Sequence, residues 1–155
     1  LEDTTGGRAL LGVVHLPMLG ITYAGGLGLG ATRNGQPLRL PESVALEDSI
    51  VSTGDVAAFD EAGRGADFRR LTGLHGYVRG YTDCFGHGLV FEGAVGAMLD
   101  PALSAWDIRA SQAIVEAAGG AAIVVPSKAA GKVDALIGNR TLVRRLDREL
   151  EFSAR

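Results

Sequence analysis

GITYAGGLGLGATRNGQPLRL, residues 20–40, decides the fold of this 155-residue chain, because its glycines admit two incompatible readings. The run from Gly25 to Gly30 could be a loop that cradles a phosphate, but such a loop needs a helix to open directly after it. Instead the chain runs on into Asn34-Gly35, the strongest short-range signal for a tight hairpin turn. The glycines are therefore predicted to form turns. Upstream, ALLGVVHLP (residues 9–17) is an apolar, β-branched run, and GITYAG resumes after a turn at Pro17 to Gly20. Hairpins in succession predict an antiparallel sheet.

Beyond this sheet the pattern changes. After a short acidic link, SIVSTGD reads as a buried strand and DEAGRGADFRRLTGL as one helix, with Phe68, Leu71 and Leu74 toward the core. GYVRGY is a strand, with His75 in the turn before it. TDCFGHGLVFEGA is a helix whose small residues allow close approach to a neighbour, with Thr82 and Asp83 as caps. VGAMLD is a strand closed by Pro101. AWDIRASQAIVEAAGG, residues 105–120, is a helix with one narrow wet face at Arg109, Gln112 and Glu116 and a stop at Gly119-Gly120. AAIVVP and DALIGN are strands, and a final helix runs from Thr141 to Leu150. Alternating strands and helices predict a layered α/β arrangement, with residues 1–45 as the antiparallel sheet portion of an incomplete domain and 46–155 as a C-terminal α/β domain.

Composition narrows the class. The chain is 46% hydrophobic and 21% charged with net charge −3, as expected of a globular protein. Charges of both signs interleave, so nucleic acid is not an expected partner. The single cysteine, Cys84, excludes an internal disulfide, suits a cytoplasmic location and reads as a small buried apolar residue. No apolar run approaches the roughly 18 residues of a membrane helix.

Aspartates collect at element ends: Asp83 opens a helix, Asp100 closes a strand and Asp107 opens the next helix. Ligands in layered α/β folds gather at such ends. On position alone, Asp107 reads as a helix cap that meets the positive end of the dipole, and all of these acids can be caps or turn residues. If their elements are neighbours, their carboxylates converge, and a cation or cationic substrate is needed to offset the repulsion. A hard cation such as Mg²⁺ could take one of these aspartates together with substrate phosphate and water. His15, His75 and His87 lack metal-ligand spacing and are expected to be packed or solvated, and no nucleophilic-serine, zinc-protease or Walker motif is present.

WDIRASQAIVEAAGG resembles the C-terminal signature of the inositol monophosphatase family, and GVVHLPMLGITYAGGLGLGATRNGQPLRL is similar to that family's central hairpins. RGYTDCFGHGLVFEGAVGAMLDPALSAWD is more similar to the histidinol-phosphatase branch. The resemblance extends to about residue 125. It implies an α-β-α-β-α layered sugar-phosphatase fold, Mg²⁺ as cofactor and a small phosphate ester as substrate, foremost histidinol phosphate in histidine biosynthesis, with inositol or sugar phosphates as the alternative. It further implies Asp107 as a metal ligand fixed by the packing of Trp106, Asp100 and Asp83 as contacts to the non-phosphate part of the substrate, and Arg79 as a partner to such an acid or a structural support. A homodimer is the expected assembly.

Several residues depart from the family pattern. Thr82 stands for glycine, His87 for an aromatic and Arg109 for a small residue, where it could weaken metal binding. The family's Asp-Pro-x-Asp-Gly-Thr segment and Glu-Glu pair do not occur, and EDTTGG (residues 2–7) aligns with a turn instead. The expectation is a C-terminal part of a phosphatase, with no catalytic residue of its own, inactive alone. A non-catalytic remnant or interaction module remains the competing class.

Overall fold

The computed structural model describes residues 1–3, 7–74 and 77–154. β1 (Glu2–Asp3) and β2 (Arg8–Ala9) pair as a small antiparallel ribbon. β3 (Leu11–Leu16), β4 (Ile21–Gly26), β5 (Gly30–Arg33) and β6 (Gln36–Leu38) form a four-stranded antiparallel meander. Asn34 (φ 48°) and Gly35 (φ 77°) both have positive φ, the requirement of the tight hairpin turn between β5 and β6. No helix opens after the glycine run, which turns at Gly28 into β5.

The second sheet has five strands in the order β10-β11-β9-β7-β8. These are β7 (Val51–Thr53), β8 (Val78–Arg79), β9 (Ala97–Leu103), β10 (Ala121–Pro126) and β11 (Val133–Gly138). β7 lies parallel to both β8 and β9, whereas β9, β11 and β10 run antiparallel. Helices α3 (Asp83–Phe91) and α4 (Ala105–Ala117) fill the space between the two sheets. Helices α1 (Val56–Glu61), α2 (Gly65–Leu74) and α5 (Arg140–Leu150) cover the other face of the five-stranded sheet. The layers are thus sheet, helices, sheet, helices.

Two apolar clusters hold the layers together. One joins Val14, Tyr23 and Ala31 of the first sheet to Phe91, Met98, Ile108, Ile114 and Ile137, so residues on both sides of position 45 share one core. The other gathers Phe59, Leu71, Leu99, Leu136, Leu146 and Phe152 beneath the second sheet. Close approach between layers depends on glycine: a Cβ on Gly12 would overlap the Ala110 carbonyl, and one on Gly25 would lie 2.9 Å from the Ile114 Cα. Gly88 does the same for α3, whose added Cβ would sit 3.1 Å from the Tyr23 ring. Among the described residues no helix is long and apolar enough to cross a membrane.

Several expectations need correction. The single helix predicted over residues 60–74 is two, because the chain reverses at Gly63 (φ 66°) and Gly65 restarts it; Leu74 is exposed rather than in the core. β9 does not stop at Pro101 but continues to Leu103. β7 pairs with β9 only as far as Leu99, so the missing N–H of Pro101 faces no neighbour on that side, and a register shift against β11 accommodates the bend. Cys84 is exposed, not a buried apolar residue. His75 and the middle of EDTTGG, residues 4–6, lie outside the described residues.

Candidate functional site

The carboxyl ends of β7 and β9 and the amino ends of α1, α3 and α4 meet on one side of the second sheet. There an open crevice of about 400 Å³ is lined by Asp55, Thr82, Asp83, Asp100, Pro101 and Ala102, among others. Of the three aspartates that the sequence places at element ends, the structure brings Asp83 and Asp100 to this crevice, leaves Asp107 outside its lining, and adds Asp55. Asp55 caps α1, accepting the Ala57 N–H at 3.0 Å. Its sequence signal was a Thr-Gly-Asp at the end of a buried strand, where a carboxylate both caps the next helix and faces the strand end.

Each acid is placed differently. Asp83 has φ 54°, a left-handed conformation that lets the chain turn sharply from β8 into α3; Thr82, the residue before the helix, makes no side-chain cap bond. Asp100 is buried, and its Oδ2 lies 3.3 Å from His87 Nε2. Gly54 is required beside it, since an added Cβ would overlap Asp100 Oδ1. His87, buried in turn, has Nδ1 2.8 Å from the Ser111 hydroxyl on α4. Neither His87 nor Ser111 could be linked to Asp100 from sequence, since the contacts join separate elements.

Asp107 is not the cap of α4. Ser104 holds that position, and Asp107 lies in the first helical turn, exposed, its N–H bonded to the Ser104 carbonyl. Its carboxylate still gains from the positive helix end. It does not line the crevice, but it lies near enough to α3 to act on Cys84. Partial burial pushes that thiol's pKa up, and the charges of Asp83 and Asp107 push it further. Trp106 is 80% exposed, so its indole does not fix Asp107 by packing against the described residues. Arg79 donates to the Val78 carbonyl at 2.8 Å and pairs with none of the acids. Arg109 turns toward Gln112 and Glu2: its Nη1 donates to Gln112 at 3.0 Å, and its Nε lies 3.0 Å from Glu2 Oε1 without hydrogen-bond alignment.

A hard cation wants oxygen donors and keeps several waters. The exposed Asp107 carboxylate fits the role of one such ligand. Among the described residues no group of three His, Cys, Asp or Glu side chains converges to hold an ion, so further donors would have to come from substrate, water or other chain segments. A larger hollow than this crevice, about 880 Å³, lies elsewhere, along the later turns of α4 between Arg8, Gln112, Glu116 and Arg140, and none of these aspartates lines it.

Comparison with known proteins agrees with this architecture. The sequence profile described as the inositol monophosphatase family matches residues 4–146. A histidinol-phosphatase of Chlorobaculum parvum is 37% identical over 118 residues, 74% of this chain and 44% of that protein. A fructose-1,6-bisphosphatase/inositol-1-monophosphatase of Thermotoga maritima is 32% identical over 115 residues, 74% of this chain and 43% of the other. The chain spans about half the length of these relatives. Among solved structures, an inositol monophosphatase from Anabaena superposes with TM-score 0.76 and 27% identity over 94% of this chain and 62% of its own. One from Zymomonas mobilis reaches TM-score 0.79 at 22% identity, covering 93% and 58%, and attests the shared fold.

Proposed function

The chain belongs to the inositol monophosphatase family, and from that premise we propose that it forms the substrate-selecting part, with one metal ligand, of a Mg²⁺-dependent phosphate monoesterase whose preferred substrate is histidinol phosphate. The observation that carries this reading is the crevice in which Asp55, Asp83 and Asp100 lie together with no lysine or arginine among the lining side chains. Such a site suits a ligand with an ammonium group, because the cation offsets the repulsion among the carboxylates. Histidinol phosphate carries one; inositol phosphate does not.

In this reading Asp107 holds one Mg²⁺, and the ion, when bound, polarises the phosphoryl group and supplies an activated water. Asp83 and Asp100 receive the amino alcohol portion. The similarity to histidinol-phosphatases supports the substrate, and the exposed lone thiol of Cys84 supports a reducing, cytoplasmic setting. The Thermotoga relative, named for sugar and inositol phosphates, supports the alternative of a non-amine ester.

The test is Mg²⁺-dependent phosphate release from histidinol phosphate and from inositol phosphate, by this chain and by any longer product of the same gene. We expect turnover of histidinol phosphate only in a form that supplies the remaining ligands, abolished by Asp107→Asn. Preference for inositol phosphate would move the assignment to the other branch. Activity unaffected by Asp107→Asn would remove that residue from the metal site, and no turnover by any form would favour the non-catalytic class.

A further inference from the structure

Three polar side chains in the apolar layer between the sheets form a continuous chain: Ser111 Oγ to His87 Nδ1 at 2.8 Å, then His87 Nε2 to Asp100 Oδ2 at 3.3 Å. Ser111 and His87 are 0% and 1% exposed and Asp100 5%. Ser111 stands on the buried face of α4 beside Ile108 and Ile114, and His87 on the buried face of α3 beside Val90 and Phe91. Buried groups of this kind are costly unless each finds a partner, and here each does. A carboxylate at Asp100 only accepts, so Nε2 carries a ring proton; in the Nε2–H tautomer, Nδ1 accepts from the Ser111 hydroxyl. The serine is not a nucleophile in waiting, because it is enclosed and its proton points into the ring.

The direction of the chain matters. Ser111 lies four residues after Asp107, one turn along the same side of α4. His87 therefore ties the acid of the crevice, on β9, to the helix that carries Asp107. Of the two Asp100 oxygens, Oδ2 is taken by His87, whereas no hydrogen bond among the described residues engages Oδ1, which lies beside Gly54. We infer that His87 is a positioning residue: neutral, protonated on Nε2 and held by Ser111, it clamps Asp100 so that Oδ1 is presented to a ligand's ammonium group, in fixed register with Asp107. This deepens the phosphatase reading and rests on it for the identity of the ligand.

Two experiments test it. Nitrogen-15 NMR of the histidine rings in this chain should find His87 as the Nε2–H tautomer, with its Nδ1 signal shifted in Ser111→Ala; a dominant Nδ1–H tautomer overturns the inference. In a form that turns over, His87→Phe should raise KM for histidinol phosphate about tenfold, the usual scale for a misplaced charge-assisted hydrogen bond. The KM for p-nitrophenyl phosphate, which has no amine, should rise by much less. His87→Gln, which keeps a donor for Asp100, should recover most of the loss. Equal effects on both esters, or no recovery by Gln, overturn the positioning role. If the unaltered protein hydrolyses neither ester, it is the phosphatase reading that fails, and calorimetry with histidinol decides the inference alone: weaker binding by His87→Phe supports it, and no difference between the two proteins overturns it.

Discussion

Ala102 shows at the scale of a residue how the crevice is held. Its φ of 55° costs an L-residue about 1–2 kcal/mol, yet it persists because Asp134 Oδ1 accepts its N–H at 3.0 Å. Asp134 is itself buried and fixed by Arg64, whose guanidinium also reaches Asp67 and the Phe152 carbonyl and stacks on the Phe152 ring. The bend just past Asp100 is thus set from the far side of the sheet. Ala102→Gly should relieve the strain and raise unfolding free energy by about 1 kcal/mol in urea titrations, and a loss of stability would show that the Ala102 methyl matters more than its backbone. None of this was legible in sequence. The aspartates at element ends were, because caps and strand ends have a local signature. The buried groups around them, His87 and Ser111 behind Asp100 and Asp134 beneath Ala102, were not, because a buried polar residue announces itself only through its neighbours in space.

Elements were read well where turn chemistry is local and poorly where it is not. The hairpin at Asn34-Gly35 is dictated by two residues that tolerate positive φ, and the glycine run was separated from a phosphate loop by the strand and hairpin after it. The break between α1 and α2 was missed because only a short backbone turn at Gly63 parts them. The contact between β3 and α4 was also invisible, though its cause is simple: at Gly12 there is no room for a side chain above the Ala110 carbonyl. Gly12→Ala should cost about 2–3 kcal/mol in stability, the scale of an overpacked core that must shift backbone. A change below about 0.5 kcal/mol in chemical denaturation would show that strand and helix can part freely.

At the scale of the molecule, two outcomes depend on how the layers meet water and one another. Tyr23 of β4 donates to Glu92 Oε1 at 2.5 Å beyond the end of α3, and Arg33 donates to the same oxygen at 2.7 Å. Burial pushes the Tyr23 phenol to about 12, helped by the Glu92 hydrogen bond and charge and opposed by Arg33. Its folded pKa lies above the unfolded value of 10.0, so its stabilising contribution is complete below pH 10 and is lost as pH rises toward 12. Alkaline denaturation should therefore steepen over that window, and Tyr23→Phe should flatten it. The outward face of the first sheet presents Leu11 and Val13, 39% and 58% exposed, on β3, which is an edge strand among the described residues. Such a face and edge favour self-association. Sedimentation of this chain should show a dimer or larger species that Val13→Lys converts to monomer, and a monomer from the start would make that face inert.

The position of α4 between the two sheets also has a consequence for how the protein is made. The inner face of the first sheet, with Val14, Tyr23 and Ala31, is covered by a helix that ends only at Ala117, so residues 39–117 must be added after β6 before that face can close. At roughly 5–20 residues per second this is a delay on the order of several seconds, far longer than a hairpin needs to form. During each round of translation the nascent hairpins therefore wait with their inner face wet, and it is the arrival of one late helix that seals that face.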